Sequence, residues 1–395
     1  MIRLAALSAA LVASVLCASA QAQAPVKIGV LTDMTAVTTD LAGQGSVEAA
    51  RMAVADFGGE VLGRKIEVIS ADFQFKPDLA ASIATEWYDR DGVDLIVDLP
   101  NSAAALAVQE IARQRKKMVM FSSTGTPKVS MEACSPTGVQ WTYDNYSQSK
   151  ALVVGLKSMN FKKWFFITSD YAGGISAEEA MREHIKKAGA EVVGGVRAPV
   201  STTDFSSYVL QAKAAGAEAV VVTFGGAPTV RAVESAREYG LKGRIVSSAI
   251  FETDVKSIGL ASANGIILSS PFYWDTNAET RAWSERFYKV TNKMPTFIHA
   301  GVYTEVMHYL KAVKAAGTTD GLEVGKKIRE LPIDDFMIKI GRVSANGMVV
   351  RDRFIFEVKK PEESKGPWDL YKLVTIASGA ETAIPLNESN CPLVK

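Results

Sequence analysis

Short β-rich runs alternate with helical stretches from near the start of the chain, and then the whole alternation begins again. The first series reads as strands over 26–31, 66–69, 95–97 and 118–121. Between them lie helices from about Gly45, with Ala49, Ala50, Ala53, Val54 and Phe57 on one side, from Pro77, and over 103–115. The second series has strands over 164–167, 191–193, 219–223 and 244–247, with helices over 176–188, after Asp204 as N-cap, and over 228–239. Strands and helices at this spacing build a parallel sheet with right-handed crossovers. The two series also share detail: 91–97 precedes 215–222, and Ser122-Ser123 precede Ser247-Ser248, by about 125 residues in each case. The chain therefore reads as two similar α/β lobes. Helices over 278–290, 297–316 and 322–331 follow, then strands over 352–358 and 370–374 and a loop-like tail from Ser378. Polar and apolar residues alternate in these last strands, which suits a sheet edge or antiparallel pairing.

The N-terminus carries an address. Arg3 is a short positive region, 4–18 is apolar, and Ala18, Ala20 and Ala22 offer small-x-small cleavage patterns. The run is too short to span a membrane, so 1–22 reads as a cleaved export signal to a bacterial periplasm. Leu16 precedes Cys17 where a lipoprotein anchor needs a small residue, which argues against that anchor. After cleavage Cys134 and Cys391 remain. In an oxidising compartment two cysteines favour one disulfide over two separate thiols.

Composition removes several function classes. A chain of 395 residues, 48% hydrophobic and 22% charged, is neither disordered nor a polytopic membrane protein. Lys plus Arg is 44 against 43 for Asp plus Glu, which leaves no electrostatic footprint for nucleic acid. His184, His299 and His308 do not sit at metal-ligand spacing with Cys or Asp. Gly43-Gln44-Gly45-Ser46 lies too far after its strand for a dinucleotide loop, and Glu48 occupies the third glycine position. Walker loops and serine elbows are absent from the sequence, so neither an enzyme nor a cofactor is expected.

What remains is a set of polar loops where strands end, the place where ligands bind in open α/β sheets. In the first series these are Thr32 to Thr35, Pro100-Asn101-Ser102, and Ser122-Ser123-Thr124-Gly125-Thr126. In the second they are Ser169 to Gly174, Phe224 to Ala227, and Ser248 to Thr253. Hydroxyls and helix N-terminal amides can hold a small carboxylate, and Tyr171 and Phe224 can stack on it. The plainer alternative makes these Ser and Thr residues helix caps and turn formers.

These residues, in this order and spacing, resemble the branched-chain-amino-acid type of periplasmic solute-binding protein, the receptor of ABC importers. The likeness rests on 26–30, on Gly63-Arg64-Lys65 leading to Lys76-Pro77, and on Ser122-Ser123-Thr124. It also rests on Asp170-Tyr171-Ala172-Gly173, Thr203-Asp204-Phe205-Ser206 and Tyr239-Gly240-Leu241. The resemblance implies two Rossmann-like lobes with parallel sheets, joined by three hinge crossovers near 143–144, 270–272 and 340–342. It assigns 25–142 and 272–341 to lobe 1, and 143–271 and 342–395 to lobe 2. Asn101 and Ser102 would stand at the carboxylate-binding hydroxyl. Ser122, Ser123 and Thr124 would meet the ligand's ammonium and carboxylate, and Tyr171 and Phe224 would match aromatic positions. Amino-acid binders have an acid soon after the strand ending near Ser247; here Ser248-Ala249-Ile250-Phe251 intervene and Glu252 comes late. A buried ammonium without a carboxylate is costly. The resemblance thus implies a small carboxylate-bearing solute, a branched-chain or other amino acid with Glu252 among its contacts. The alternative is an aromatic carboxylate, amide or urea, with Phe251, Tyr273 and Trp274 either flat-ligand contacts or core, and a secreted α/β enzyme comes last. The expected partners are a small solute and a membrane permease, with the receptor acting as a monomer.

Overall fold

The computed structural model describes residues 23–394, so the expected export signal and Cys17 lie outside the described residues. The chain opens with β1 (Val26–Thr32), α1 (Gly43–Phe57), β2 (Glu60–Val61) and β3 (Arg64–Asp72). Next come α2 (Pro77–Glu86), β4 (Leu95–Asp98), α3 (Ser102–Arg115), β5 (Met118–Phe121) and β6 (Gly138–Gln140). These strands form one sheet in the order β2-β3-β1-β4-β5-β6. Every pair except β2–β3 is parallel. β4 and β5 are buried along their whole length. Helices cover both faces of a parallel sheet, which is why these strands read as unbroken apolar runs. Trp87, just past α2, packs so closely on β1 that a Cβ at Gly29 would collide with its ring.

The second series comprises α4 (Asn145–Gly155), β7 (Lys163–Ser169), α5 (Ala172–Lys187), β8 (Glu191–Ala198) and α6 (Ser206–Ala214). It continues with β9 (Ala219–Val222), α7 (Ala227–Glu238), β10 (Arg244–Ser247), α8 (Glu252–Ile258), α9 (Leu260–Ala263) and β11 (Ile267–Ser270). Then α10 (Ala278–Thr291), α11 (Phe297–Ala316) and α12 (Gly321–Glu330) return to the first sheet, and β12 (Arg342–Val343) pairs with β13 (Val349–Val350). Finally β14 (Arg353–Val358) and β15 (Tyr371–Ala377) close one edge of the second sheet, followed by α13 (Gly379–Thr382). That sheet has the order β15-β14-β11-β10-β9-β7-β8. Only β14 runs against the other strands, so its pairings with β11 and β15 are the two antiparallel ones, as the alternation of the last two strands predicts.

The repeat seen in the sequence is a repeat of topology. The order β3-β1-β4-β5 in one sheet corresponds to β8-β7-β9-β10 in the other. The matched segments about 125 residues apart are thus β4 with β9, and the end of β5 with the end of β10. The lobes are α/β and joined by three passages of chain: after β6, after β11, and between β13 and β14. The third passage falls at Arg351 and Asp352 rather than at 340–342, because Val343 and Val349 pack in the first lobe's core. Residues 342–350 therefore sit with lobe 1, not with lobe 2. Both strands of that hairpin are two residues long, too short for any periodicity to mark them. Cys134 and Cys391 form a disulfide with Cα atoms 5.6 Å apart. It joins the loop before β6 to the tail that follows the second sheet.

Candidate functional site

In each sheet the chain order reverses at one point, at β1 in the first and β7 in the second. A crevice opens there at the C-terminal ends of the strands. The two crevices face each other. The loop after β1 lies against Gly225 and Gly226 after β9; a Cβ on Gly226, at φ +69°, would sit 2.6 Å from the Val37 carbonyl oxygen. Asp33 shapes that loop from its buried carboxylate, accepting from the Ala36 and Thr38 amides at 2.7 and 2.8 Å and from the Thr38 hydroxyl at 2.7 Å. Phe75, after β3, approaches Tyr171, after β7, with ring centroids 5.7 Å apart. Phe251 of the second lobe inserts into the first lobe's apolar cluster and stacks on Phe297 at 4.8 Å.

On the first-lobe side the backbone is strained where it meets the cleft. Gln74, Phe75, Asp98 and Leu99 all have positive φ, from 54° to 85°, just after β3 and where β4 ends. Each such residue costs on the order of 1–3 kcal/mol, and such strain concentrates at ligand clamps. Asn101 is the N-cap of α3: its Oδ1 accepts from the Ala103 and Ala104 amides at 2.9 and 3.1 Å, and its Nδ2 donates to the Phe75 carbonyl at 3.1 Å. Its side chain is therefore occupied, as the plainer alternative expects of a cap. The Ser102 hydroxyl, next along, makes no hydrogen bond with the described residues. Ser122 and Ser123 turn their hydroxyls onto the Asp98 carboxylate beneath them. The Thr124 hydroxyl donates its proton to the Leu99 carbonyl at 2.7 Å, so it has none left for a carboxylate. The backbone N–H groups of Ser123 and Thr124 make no bond with the described residues. Beneath this loop, burial raises the Asp98 carboxyl pKa, against the lowering effect of the hydroxyls of Ser123 and Ser122 that donate to it. Burial, and then the charge of Asp98, push Glu305 well above the usual range.

On the second-lobe side Tyr171 sits at the N-cap of α5, half-buried, with its hydroxyl pKa pushed up to about 12 by burial. Phe224 is not a cleft residue. Only 1% exposed, it packs edge-on to Phe205 at 5.1 Å inside the lobe core, which replaces the stacking role expected for it. Glu252 opens α8 but is buried, and its Oε1 has no partner. Burial, then the nearby Asp254, raise its pKa to about 8, and Asp254 is likewise raised to about 7 by burial. Glu252 thus carries its proton at neutral pH. It is close enough to Tyr273 and Tyr371, in the lobe core, to raise both their pKa values. Tyr273 is core as well, donating to the Trp368 carbonyl at 3.0 Å. Trp274 donates to the same carbonyl at 2.8 Å.

Two contributors were not among the site residues expected from the sequence, although 143–144 was expected as a hinge. Tyr143, in the first passage, donates to the Ser123 carbonyl at 3.1 Å, and burial with the adjacent Tyr171 drives its pKa up. Phe75 was hidden in a loop before Pro77. Together Phe75, Tyr143 and Tyr171 give the cleft a wall of flat, uncharged surface beside free amide donors. Among the described residues no group of three or more His, Cys, Asp or Glu is placed to hold a metal ion.

A family model described as periplasmic binding protein matches residues 25–366. The chain belongs to the periplasmic binding protein family. Among solved structures, this periplasmic binding protein is similar to one from Burkholderia mallei, at 39% identity and a TM-score of 0.91, covering 94% of this chain and 99% of that one. A branched chain amino acid ABC transporter periplasmic ligand-binding protein from Burkholderia xenovorans is also 39% identical, with a TM-score of 0.86 and coverage of 94% and 100%. A Leu/Ile/Val-binding protein homolog 6 from Brucella abortus is 27% identical over 177 residues, 45% of each chain. The chain thus spans about half the length of the first curated relatives it matches. The loops that face each other between the lobes lie at the strand ends where open α/β sheets bind ligands.

Proposed function

We propose that the chain is the extracytoplasmic receptor of an ABC importer, closing its lobes on a small carboxylate and delivering it to a membrane permease. The ligand we propose is a plain, preferably aromatic, carboxylate rather than an amino acid. One observation carries that choice: Glu252, the acid in the stretch where amino-acid binders carry one, is buried against the second lobe's core, and burial raises its pKa to about 8. An α-ammonium in the cleft would have to ionise it or stay unpaired, and either is costly. A carboxylate, by contrast, meets the Ser102 hydroxyl, the N-terminus of α3 and the free amides of Ser123 and Thr124. Phe75, Tyr143 and Tyr171 supply stacking area for a flat body. Family membership and the expected signal over 1–22 support a periplasmic location.

The second reading, a branched-chain amino acid, is favoured by the description of the Burkholderia xenovorans relative. A thermal-shift screen of the exported protein against aromatic acids, amides, urea and amino acids separates the two. A true ligand raises the melting temperature in proportion to the logarithm of its concentration once saturating. The reading stands if aromatic acids raise it and falls if branched-chain amino acids alone do.

A further inference from the structure

At the end of the second lobe remote from the cleft, a cavity of about 600 Å³ lies between the C-terminal halves of α4 and α5 and the start of β7. That volume is ordinary for a small-molecule site. Its floor is apolar: Leu156, Trp164 and Ile185 all belong to the core beneath the sheet. Its rim is basic. Lys150, Lys157, Lys162 and Lys187 line it, and none of its lining residues is Asp or Glu. Lys187 pairs with Glu183 at 2.6 Å and Lys150 lies over the Tyr146 ring at 5.6 Å. Lys157 and Lys162 have no ion-pair partner among the described residues. His184, only 5% exposed, also lines the cavity, and its Nε2 is sealed from solvent with no hydrogen-bond partner.

We infer that this cavity is a second ligand site, taking a soluble organic anion with a compact apolar body and one acidic head. The body replaces water on the floor, and the head sits among lysines that otherwise repel one another. A purely apolar ligand would leave the lysines unmatched, and inorganic phosphate would leave the floor wet. The site is independent of the cleft, because it lies at the opposite ends of the strands. His184 reports on it. Burial holds its pKa below the usual value; Glu183 and the Tyr146 carbonyl oppose this, whereas Lys150 and Lys187 reinforce it. Glu388, from the tail, also acts on Tyr146 and Lys187. An anion inside the lysine rim offsets the two lysines, so the His184 titration moves up.

The test is an NMR titration of the full exported chain with octanoate and naphthalene-2-sulfonate, following backbone amides and the three histidine rings. Shifts confined to 150–164 and 184–190, with an upward His184 titration, support the site. The double variant Lys157→Gln/Lys162→Gln changes only exposed side chains and keeps the melting temperature. It should weaken binding about threefold to tenfold. Three results overturn the inference: no shifts in these segments at millimolar probe, shifts unaffected by the double variant, or binding only to anionic phospholipid vesicles.

Discussion

The Arg353 guanidinium lies 3.6 Å from the Asp144 carboxylate, with both side chains sealed from solvent at 2% and 1% exposure. This pair ties the third passage between the lobes to the first. Asp144 also caps α4 by accepting from the Ser147 amide at 2.8 Å. Arg353 reaches on to Gln148, which donates to the Ser248 carbonyl at 2.6 Å beside the cleft. Asn at 144 keeps the cap but removes the charge. Asp144→Asn should therefore cost about 3–5 kcal/mol, because it strands a buried guanidinium. Chemical denaturation of the single variants and of Asp144→Leu/Arg353→Met measures this, and the double variant should lose much less than the sum.

The disulfide is a fourth link between the lobes. It closes a separation of 257 residues and fastens the tail of the second lobe to a loop of the first. Chain-entropy arguments give about 5 kcal/mol for so long a loop, and native disulfides typically contribute about 2–5 kcal/mol. Cys391→Ser should lower stability in that range. Small-angle scattering should also show a wider ligand-free opening, since only the three passages of chain then limit the hinge. An unchanged radius of gyration would leave the disulfide a stabiliser only.

Phe224 and Tyr171 separate core from cleft. Phe224→Ala empties part of the second lobe's core and should cost about 3–5 kcal/mol of stability. Tyr171→Ala removes a half-buried cleft ring and should instead weaken ligand binding, by about 1–3 kcal/mol, with little loss of fold. Denaturation and calorimetric titration of both variants show whether the two effects divide this way.

Glu252 and Asp254 link stability to pH. Their folded-state pKa values, raised to about 8 and 7 by burial, exceed the ordinary carboxylate values. Over the interval between, the folded protein holds protons that the unfolded chain has released, so stability falls as pH rises. The melting temperature should drop from pH 5 to pH 8 for this reason, and Glu305 and Asp98, also raised by burial, act in the same direction. Glu252→Gln should flatten the profile over that window.

Much of the fold was legible because parallel strands buried on both faces, such as β4 and β5, announce themselves as apolar runs between amphipathic helices. Helix α11 was readable end to end from its apolar residues. Helix α4 was not: its buried positions include Ser147, Gln148 and Ser149, which serve the hinge rather than an apolar core. Helix α8 has seven residues and an acidic first turn, with nothing periodic to see. At the candidate site, the loops singled out in the sequence do lie at strand ends that face each other, but sequence could not say which way a hydroxyl turns. Asn101 became a cap, Thr124 a partner of Leu99, and Phe224 core, while Tyr143 entered from a hinge that had no sequence signature of its own.

The ligand class is decided most directly by calorimetric titration with two matched pairs, 3-phenylpropanoate against phenylalanine and 4-methylpentanoate against leucine. Within each pair only the α-ammonium differs. A cleft with neutral donors and a protonated Glu252 should bind the acid lacking the amine at least about tenfold more tightly. Tighter binding of either amino acid than of its partner would contradict it.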